Sequence, residues 1–304
     1  MARRQFIILF GLIFLALGLV LSPLPVKAEN LRRIAIFSQD TPVEVQEAIV
    51  QASSSTILQR LSPFPALVIQ LPPDQPQVAL DILQSYPEVE AIEEDTSITA
   101  QSLAGGIQGS FVTPIDPQTG KEQYTDHGYR WSMRQIYRHK VEGTDGDRVR
   151  VAVLDTGIDT THPDLSRVVR GGYNARAGED PADYTDRNGH GTHIAGIIAG
   201  NLAQLKVKGM APRAKLYAVR VLDDAGGGYL SDLINGLLWV YNHPEKNIRV
   251  VNMSLGFYQG STLLHQVIQW LKQQGVIMVA SVGNYDCTIP ASEGGDSEGG
   301  DSEG

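Results

Sequence analysis

The chain has 304 residues, 42% of them hydrophobic and 19% charged, a balance that excludes a wholly disordered or fibrous protein and suits one large domain or two smaller ones. Lys and Arg number 25 against 34 Asp and Glu, a net charge of −9, and no basic block stands out, which argues against a nucleic-acid partner. A single cysteine, Cys287, excludes an intrachain disulfide framework and any cysteine-cluster metal site.

Residues 1–4 carry two arginines, and residues 6–21 form a continuous apolar run without charge. Pro23 and Pro25 break that run, and Val26-Lys27-Ala28 places small residues where a signal peptidase reads. The expectation is a secretory signal peptide over 1–28, export of the remainder to a secreted or extracytoplasmic location, and no membrane span after cleavage. The alternative for the same run is an uncleaved anchor.

Residues 29–101 read as a small α+β unit. Arg33-Ile34-Ala35-Ile36-Phe37 is a short strand. Thr41 is placed to cap a helix with Pro42 at its first position and Glu44 in capping-box position, burying Val45, Ala48 and Ile49. Strands are expected at 66–69 and 89–92, with a helix at 77–85 that puts Val78, Ile82 and Leu83 on one face. This order suggests a ferredoxin-like split βαβ arrangement. The stretch from Gln101 to Gly128 is rich in Gly, Pro, Gln, Ser and Thr, and residues 102–128 read as a linker or surface extension.

Residues 129–291 read differently. The runs 149–154, 215–222, 248–255 and 276–282 are apolar and rich in β-branched residues, as strands buried on both faces require. Between them Ser231 is placed to cap a helix that buries Ile234, Leu237, Leu238 and Tyr241. Residues 262–274 repeat Leu264, Val267, Ile268 and Leu271 on one stripe, ended by Gly275. Alternating strands and helices imply a parallel sheet covered on both sides, with chemistry at the carboxyl ends of its strands.

Those strand ends carry a carboxylate, an imidazole and a carboxamide: Asp155-Thr156-Gly157, then Asn188-Gly189-His190-Gly191-Thr192-His193 opening a small-residue helix, then Gly283-Asn284 after the last strand. A carboxylate fixes the tautomer of a histidine that acts as general base, and a carboxamide N–H can stabilise an oxyanion. Read singly, the aspartate is a turn cap, His193 a packed helix residue and Gly283-Asn284 a turn. His190 and His193 could form a metal pair, but Gly191-Thr192 stands between them where the zinc-protease pattern needs Glu.

These segments resemble the subtilisin-like serine protease family, the subtilases. The stretch from Val151 to Asp159 resembles the segment of the catalytic aspartate, which maps to Asp155. Gly189-His190-Gly191-Thr192-His193 resembles that of the catalytic histidine, which maps to His190, and Gly209-Met210-Ala211-Pro212 resembles the turn that follows. Asn252-Met253-Ser254-Leu255-Gly256 is similar to the substrate-binding strand, and Gly226-Gly227-Gly228 sits where the family binds substrate main chain. Val282-Gly283-Asn284 resembles the segment of the oxyanion asparagine, Asn284. Residues 31–100 look like the family's inhibitory propeptide, which also assists folding.

The resemblance implies an α/β fold, an incomplete subtilisin-like parallel sheet with helices on both faces, preceded by the ferredoxin-like prodomain. It implies a serine endopeptidase precursor whose groove holds a polypeptide substrate or its own propeptide. The family's nucleophile lies in Gly-Thr-Ser-Met, which residues 1–304 do not contain, and residues 292–304 instead repeat Ser-Glu-Gly-Gly-Asp, an acidic low-complexity tail. The expectation is therefore a chain interrupted before its nucleophile and inactive as it stands. The rival expectation is a non-enzymatic inhibitor or folding helper acting through residues 31–100. The family often binds calcium through an aspartate matching Asp164. Here Ala203 replaces an asparagine ligand and Lys206 adds a cation, so no cofactor is expected.

Overall fold

The computed structural model describes residues 30–100, 145–201, 208–257 and 259–281. The expected signal peptide, the 102–128 segment, Asn284 and the repeat tail lie outside the described residues.

The first unit runs β1 (Arg32–Phe37), α1 (Val43–Ala52), β2 (Thr56–Arg60), β3 (Ala66–Gln70), α2 (Pro76–Gln84) and β4 (Val89–Glu94). Its four strands are antiparallel in the order β2-β3-β1-β4. Alternation along a strand sends neighbouring side chains to opposite faces. Ala35 and Phe37 of β1, with Leu67 and Ile69 of β3, pack against Ile49 and Val50 of α1 and Ala79 and Leu83 of α2. Ile34, Ala66 and Val68 turn the other way and join the core of the second unit. Both faces of β1 and β3 are therefore dry, which explains their unbroken apolar runs.

Three local expectations need correcting here. The Thr41 hydroxyl bonds that of Ser38 at 2.7 Å, and α1 starts at Val43 with Pro42 in the cap position and no side-chain cap. Its buried face is Gln46, Ile49 and Val50, leaving Val45 and Ala48 exposed, because the helix rotates toward β2 and β3. The α2 face is Ala79 and Leu83, with Val78 exposed. Strand β2 is additional to the strands read from the sequence.

The chain continues with β5 (Ser97–Ala100) and, after the undescribed segment, β6 (Arg150–Asp155), β7 (Val169–Asn174) and α3 (His190–Ala199). Then come β8 (Lys215–Arg220), β9 (Gly227–Tyr229), α4 (Leu230–Asn242), β10 (Val250–Met253), β11 (Leu255–Gly256), α5 (Thr262–Gln273) and β12 (Ile277–Ala280). Five of these strands form a parallel sheet in the order β12-β10-β6-β8-β7. Ala152 and Leu154 of β6 face α4 and α5, meeting Ile234, Leu237 and Val267. Val151 and Val153 face α3, meeting Ala195 and Ala199. Helices thus cover both faces around β6, whereas Ile277 and Val279 of the edge strand β12 are exposed, so the expectation of burial on both faces fails for that strand.

The chain leaves β6 toward β8 and β7 but leaves β10 toward β12, on the opposite side. Their adjacent carboxyl ends form the switch point where open α/β sheets place a ligand crevice. A third, antiparallel sheet lies there in the order β11-β5-β9. Its middle strand, β5, is the tail of the first unit.

Candidate active site

Asp155, the last residue of β6, is fully buried. The chain then turns through Gly157 at φ 108°, where a Cβ would lie 2.5 Å from the Tyr184 carbonyl oxygen. Helix α3 starts at His190 after Gly189, which has φ 102°. A Cβ on Gly191 would sit 2.1 Å from the Gly157 carbonyl oxygen, so glycine there lets the first turn of α3 close onto the end of β6. His190, 7% exposed, thereby brings its Nδ1 to 2.7 Å from Asp155 Oδ1. The same oxygen accepts from the Thr156 N–H at 2.7 Å.

A carboxylate on Nδ1 fixes the proton there and makes Nε2 the acceptor nitrogen, the tautomer a general base needs. Asp155 Oδ2 is buried and takes no hydrogen bond from the described residues.

Asp186, which the sequence reading did not single out, organises this corner. Its Oδ1 accepts from the N–H groups of Asn188 and Gly189 and from the Thr156 hydroxyl, each at 2.9 Å. Its Oδ2 accepts from Thr192 N at 2.9 Å and the Thr192 hydroxyl at 2.6 Å. Burial pushes its carboxyl up, but the hydrogen bonds from Gly189, Thr192 and Thr156 outweigh that and hold it below the ordinary aspartate value. An acid ahead of Asn-Gly and a helix start is the one sequence signal that could have found it.

The other expected residues lie on the crevice walls. Gly226 at φ 82° closes a turn in which Asp223 Oδ1 accepts from Gly227 N at 2.8 Å. Gly227 and Gly228 pair with Thr99 and Ile98 of β5, while Leu255 and Gly256 pair with Ala100 and Thr99 on its other edge. Ser254, just before β11, accepts at Oγ from Asn252 Nδ2 at 3.0 Å. A Cβ at Gly228 would meet the Val221 carbonyl oxygen at 2.5 Å, so glycine keeps this wall close to β8. Ile98 is fully buried in one apolar cluster with Leu222, Leu230 and Leu233. The structure therefore gathers Gly226, Gly227, Gly228, Leu255 and Gly256 around one extended strand.

Two carboxylates ahead of that strand reach into the second unit. Glu93 accepts from the Ser261 hydroxyl at 2.6 Å and Thr262 N at 2.9 Å, at the start of α5. Asp95, fully buried, accepts from Ser231 N and Ser231 Oγ at 2.8 Å each and from Arg32 Nε at 2.8 Å. The expected cap role of Ser231 is corrected accordingly: it lies inside α4, and the orphan N–H groups of that helix end are met by Asp95 and Asp232. Asp232 accepts from Ala177 N and Tyr229 N, and burial pushes its carboxyl up to about 6.

Asp164 is fully buried, and its carbonyl oxygen accepts from Asn201 N. Residues 202–207, Ala203 among them, lie outside the described residues. Among the described residues no group of three or more His, Cys, Asp or Glu side chains could hold a metal ion.

A family model described as the Subtilase family matches residues 146–302. The alkaline protease of Alkalihalobacillus alcalophilus is 35% identical over 253 residues, which cover 83% of this chain and 54% of that protein. Subtilisin E of Bacillus subtilis (strain 168) is 45% identical over 143 residues, 47% of this chain and 36% of its own length. The subtilisin of Bacillus pumilus is 44% identical over 143 residues, covering 47% of this chain and 50% of its own. The chain thus spans about half the length of the alkaline protease it matches. The matched region contains the β6 end, the first turn of α3 and both crevice walls, and the chain belongs to the subtilase family of serine proteases.

Proposed function

We propose that this chain is an exported serine endopeptidase precursor, with residues 1–28 as its signal peptide and residues 29–101 as an inhibitory propeptide. The observation that carries the reading is β5. It lies between the Gly227–Tyr229 and Leu255–Gly256 segments as the middle strand of a sheet, the place a peptide substrate takes by β-strand addition. A substrate would replace β5 there, its main chain pairing with Gly226 to Gly228 on one side and Ser254 to Gly256 on the other.

His190 Nε2 would take the proton of the nucleophilic serine and return it to the leaving amine. Asp155 holds the ring and balances its charge, and the Asn284 side chain donates to the tetrahedral oxyanion. None of the serines in residues 1–304 stands in the Gly-Thr-Ser-Met setting of the nucleophile. In subtilisin, loss of the serine alone lowers kcat by about 2 × 10⁶, so a polypeptide of these 304 residues should be inert by itself.

The second reading is a non-enzymatic inhibitor or folding helper acting through residues 31–100. It is favoured by the fact that β5, Glu93 and Asp95 all come from that unit. One experiment separates the two. The 304-residue polypeptide is assayed on a fluorogenic peptide and with a fluorophosphonate probe, alone and co-expressed with a downstream subtilase segment bearing Gly-Thr-Ser-Met. Activity that appears only on co-expression, and is lost with His190→Ala, supports the protease. No activity in either state removes it and leaves the binding reading.

A further inference from the structure

We propose that Asp186 is the positioning residue of the Asp155–His190 pair, acting through the Thr156 hydroxyl to lock the end of β6 to the first turn of α3. The inference rests on the reading of that pair as the general-base couple and goes beyond it to the group that sets its geometry.

Five donors converge on Asp186, and they come from both sides of the pair. Thr156 directly follows Asp155 and donates its hydroxyl to Asp186 Oδ1 at 2.9 Å. Asn188 and Gly189 precede His190, Thr192 follows it, and all three donate backbone N–H groups to the same carboxylate. The Thr156 hydroxyl serves twice, since it also accepts from Gly191 N at 3.0 Å. Thr192 Oγ1 passes the network on by accepting from Asp159 N at 2.9 Å. Thr156 is fully buried, so water cannot replace a lost partner cheaply. A 2.7 Å hydrogen bond between a strand residue and a helix residue demands that both backbones be fixed to a fraction of an ångström. Asp186 bonds the α3 side through backbone N–H groups and the strand end through the Thr156 hydroxyl.

The carboxylate cannot be traded for an amide. Oδ1 takes three donors and Oδ2 takes two, so Asp186→Asn must point an N–H₂ at donors whichever way it is turned.

The test reads the hydrogen bond itself and not hydrolysis, so its failure is distinct from failure of the protease reading. The full 304-residue chain, labelled with ¹⁵N-histidine, is examined for the far-downfield Nδ1 proton of His190, with His190→Ala assigning the signal. Asp186→Asn and Thr156→Val should abolish the signal or speed its exchange with solvent at least about tenfold, the size set by one hydrogen bond to a charged group. Circular dichroism should stay native in both. Thr156→Ser, which keeps the hydroxyl, should restore the signal. Asp183→Asn should leave it unchanged, because the Asp183 carboxylate bonds Thr185 and Arg187 on its own loop. If Asp186→Asn does not fold, the Thr156 pair decides. Wild-type exchange in Thr156→Val, or loss of the signal in Thr156→Ser equal to that in Thr156→Val, overturns the proposal. Absence of the signal from the unsubstituted chain overturns both this proposal and the pair on which it rests.

Discussion

Asp95→Ala tests how firmly the first unit is tied to the second. The substitution strips the acceptor from Arg32 Nε, Ser231 N and Ser231 Oγ, each at 2.8 Å and all around a carboxylate with no exposed surface. Removing one partner of a buried ion pair costs about 3–5 kcal/mol, because the other charge stays behind. The loss of a helix cap, about 1 kcal/mol, falls within that figure, since the same oxygens are involved. Arg32 keeps some relief: its side chain is 15% exposed, Nη2 still reaches Ser231 Oγ at 3.1 Å, and the guanidinium lies 3.8 Å over the Tyr229 ring. The expected loss is therefore near the lower end, about 3 kcal/mol, a large part of a domain's usual stability of about 5–15 kcal/mol. Urea denaturation of the 304-residue chain, followed by tryptophan fluorescence, measures it. Trp270 stacks on Phe64 of the first unit at 4.0 Å and so reports on the junction. Adding Arg32→Met removes the orphaned charge and should recover at least about 1 kcal/mol. A loss below about 1 kcal/mol, the worth of an exposed pair, or a double variant weaker than either single one, would refute the account of a buried, coupled tie.

Burial pushes the Asp232 carboxyl up to about 6, with help from the charge of Asp95 and against the Ala177 hydrogen bond and Arg32. The folded state then binds more protons than the unfolded one between about 3.8 and 6, so this group's contribution is complete below about 3.8 and lost as pH rises through about 6. Asp232→Asn should flatten the stability profile across that window, and an unchanged slope on urea titration at several pH values would count against the assignment. Gly191→Ala forces a methyl to 2.1 Å from the Gly157 carbonyl oxygen. It should destabilise the chain by more than about 2 kcal/mol in a thermal melt and abolish the His190 downfield proton. Purified residues 29–101 should inhibit an active subtilase in competition with substrate. No inhibition at micromolar concentration would weigh against the propeptide role.

The parallel sheet was legible because β6, β8 and β10 are wet on neither face, so their apolar runs carry no competing signal. Two edge strands, β7 and β2, were not, although β4 and β12 were. Strand β7 contains Gly171 and Gly172, and β2 exposes Thr56 and Ile57. Neither shows the continuous or alternating apolar pattern by which strands are read. Asp155 and His190 could be placed because strand ends and helix starts are where an α/β fold puts its chemistry. The expected Ser231 cap failed at α4, while at α5 Ser261 caps locally by accepting from Leu264 N at 3.0 Å and Glu93 adds to it. The carboxylates at α4 and α5 come from 136 and 168 residues away in the chain, beyond any window in which a capping pattern is sought. Asp186 was missed because a carboxylate in a polar loop looks solvated until Thr156 and Thr192 are seen to close over it.

Glu93 and Asp95 stand two residues apart on one extended segment, yet they serve two different helices. An extended chain advances about 3.4 Å per residue, so the two carboxylates start about 7 Å apart, close to the 8–10 Å at which packed helices lie. Strand alternation turns both the same way. The segment therefore works as a gauge block laid across the ends of α4 and α5: the repeat of one strand sets the lateral and axial offset of two helices in another layer. A single residue inserted between them would turn one carboxylate to the opposite face, and the helix pair could then keep either cap but not both.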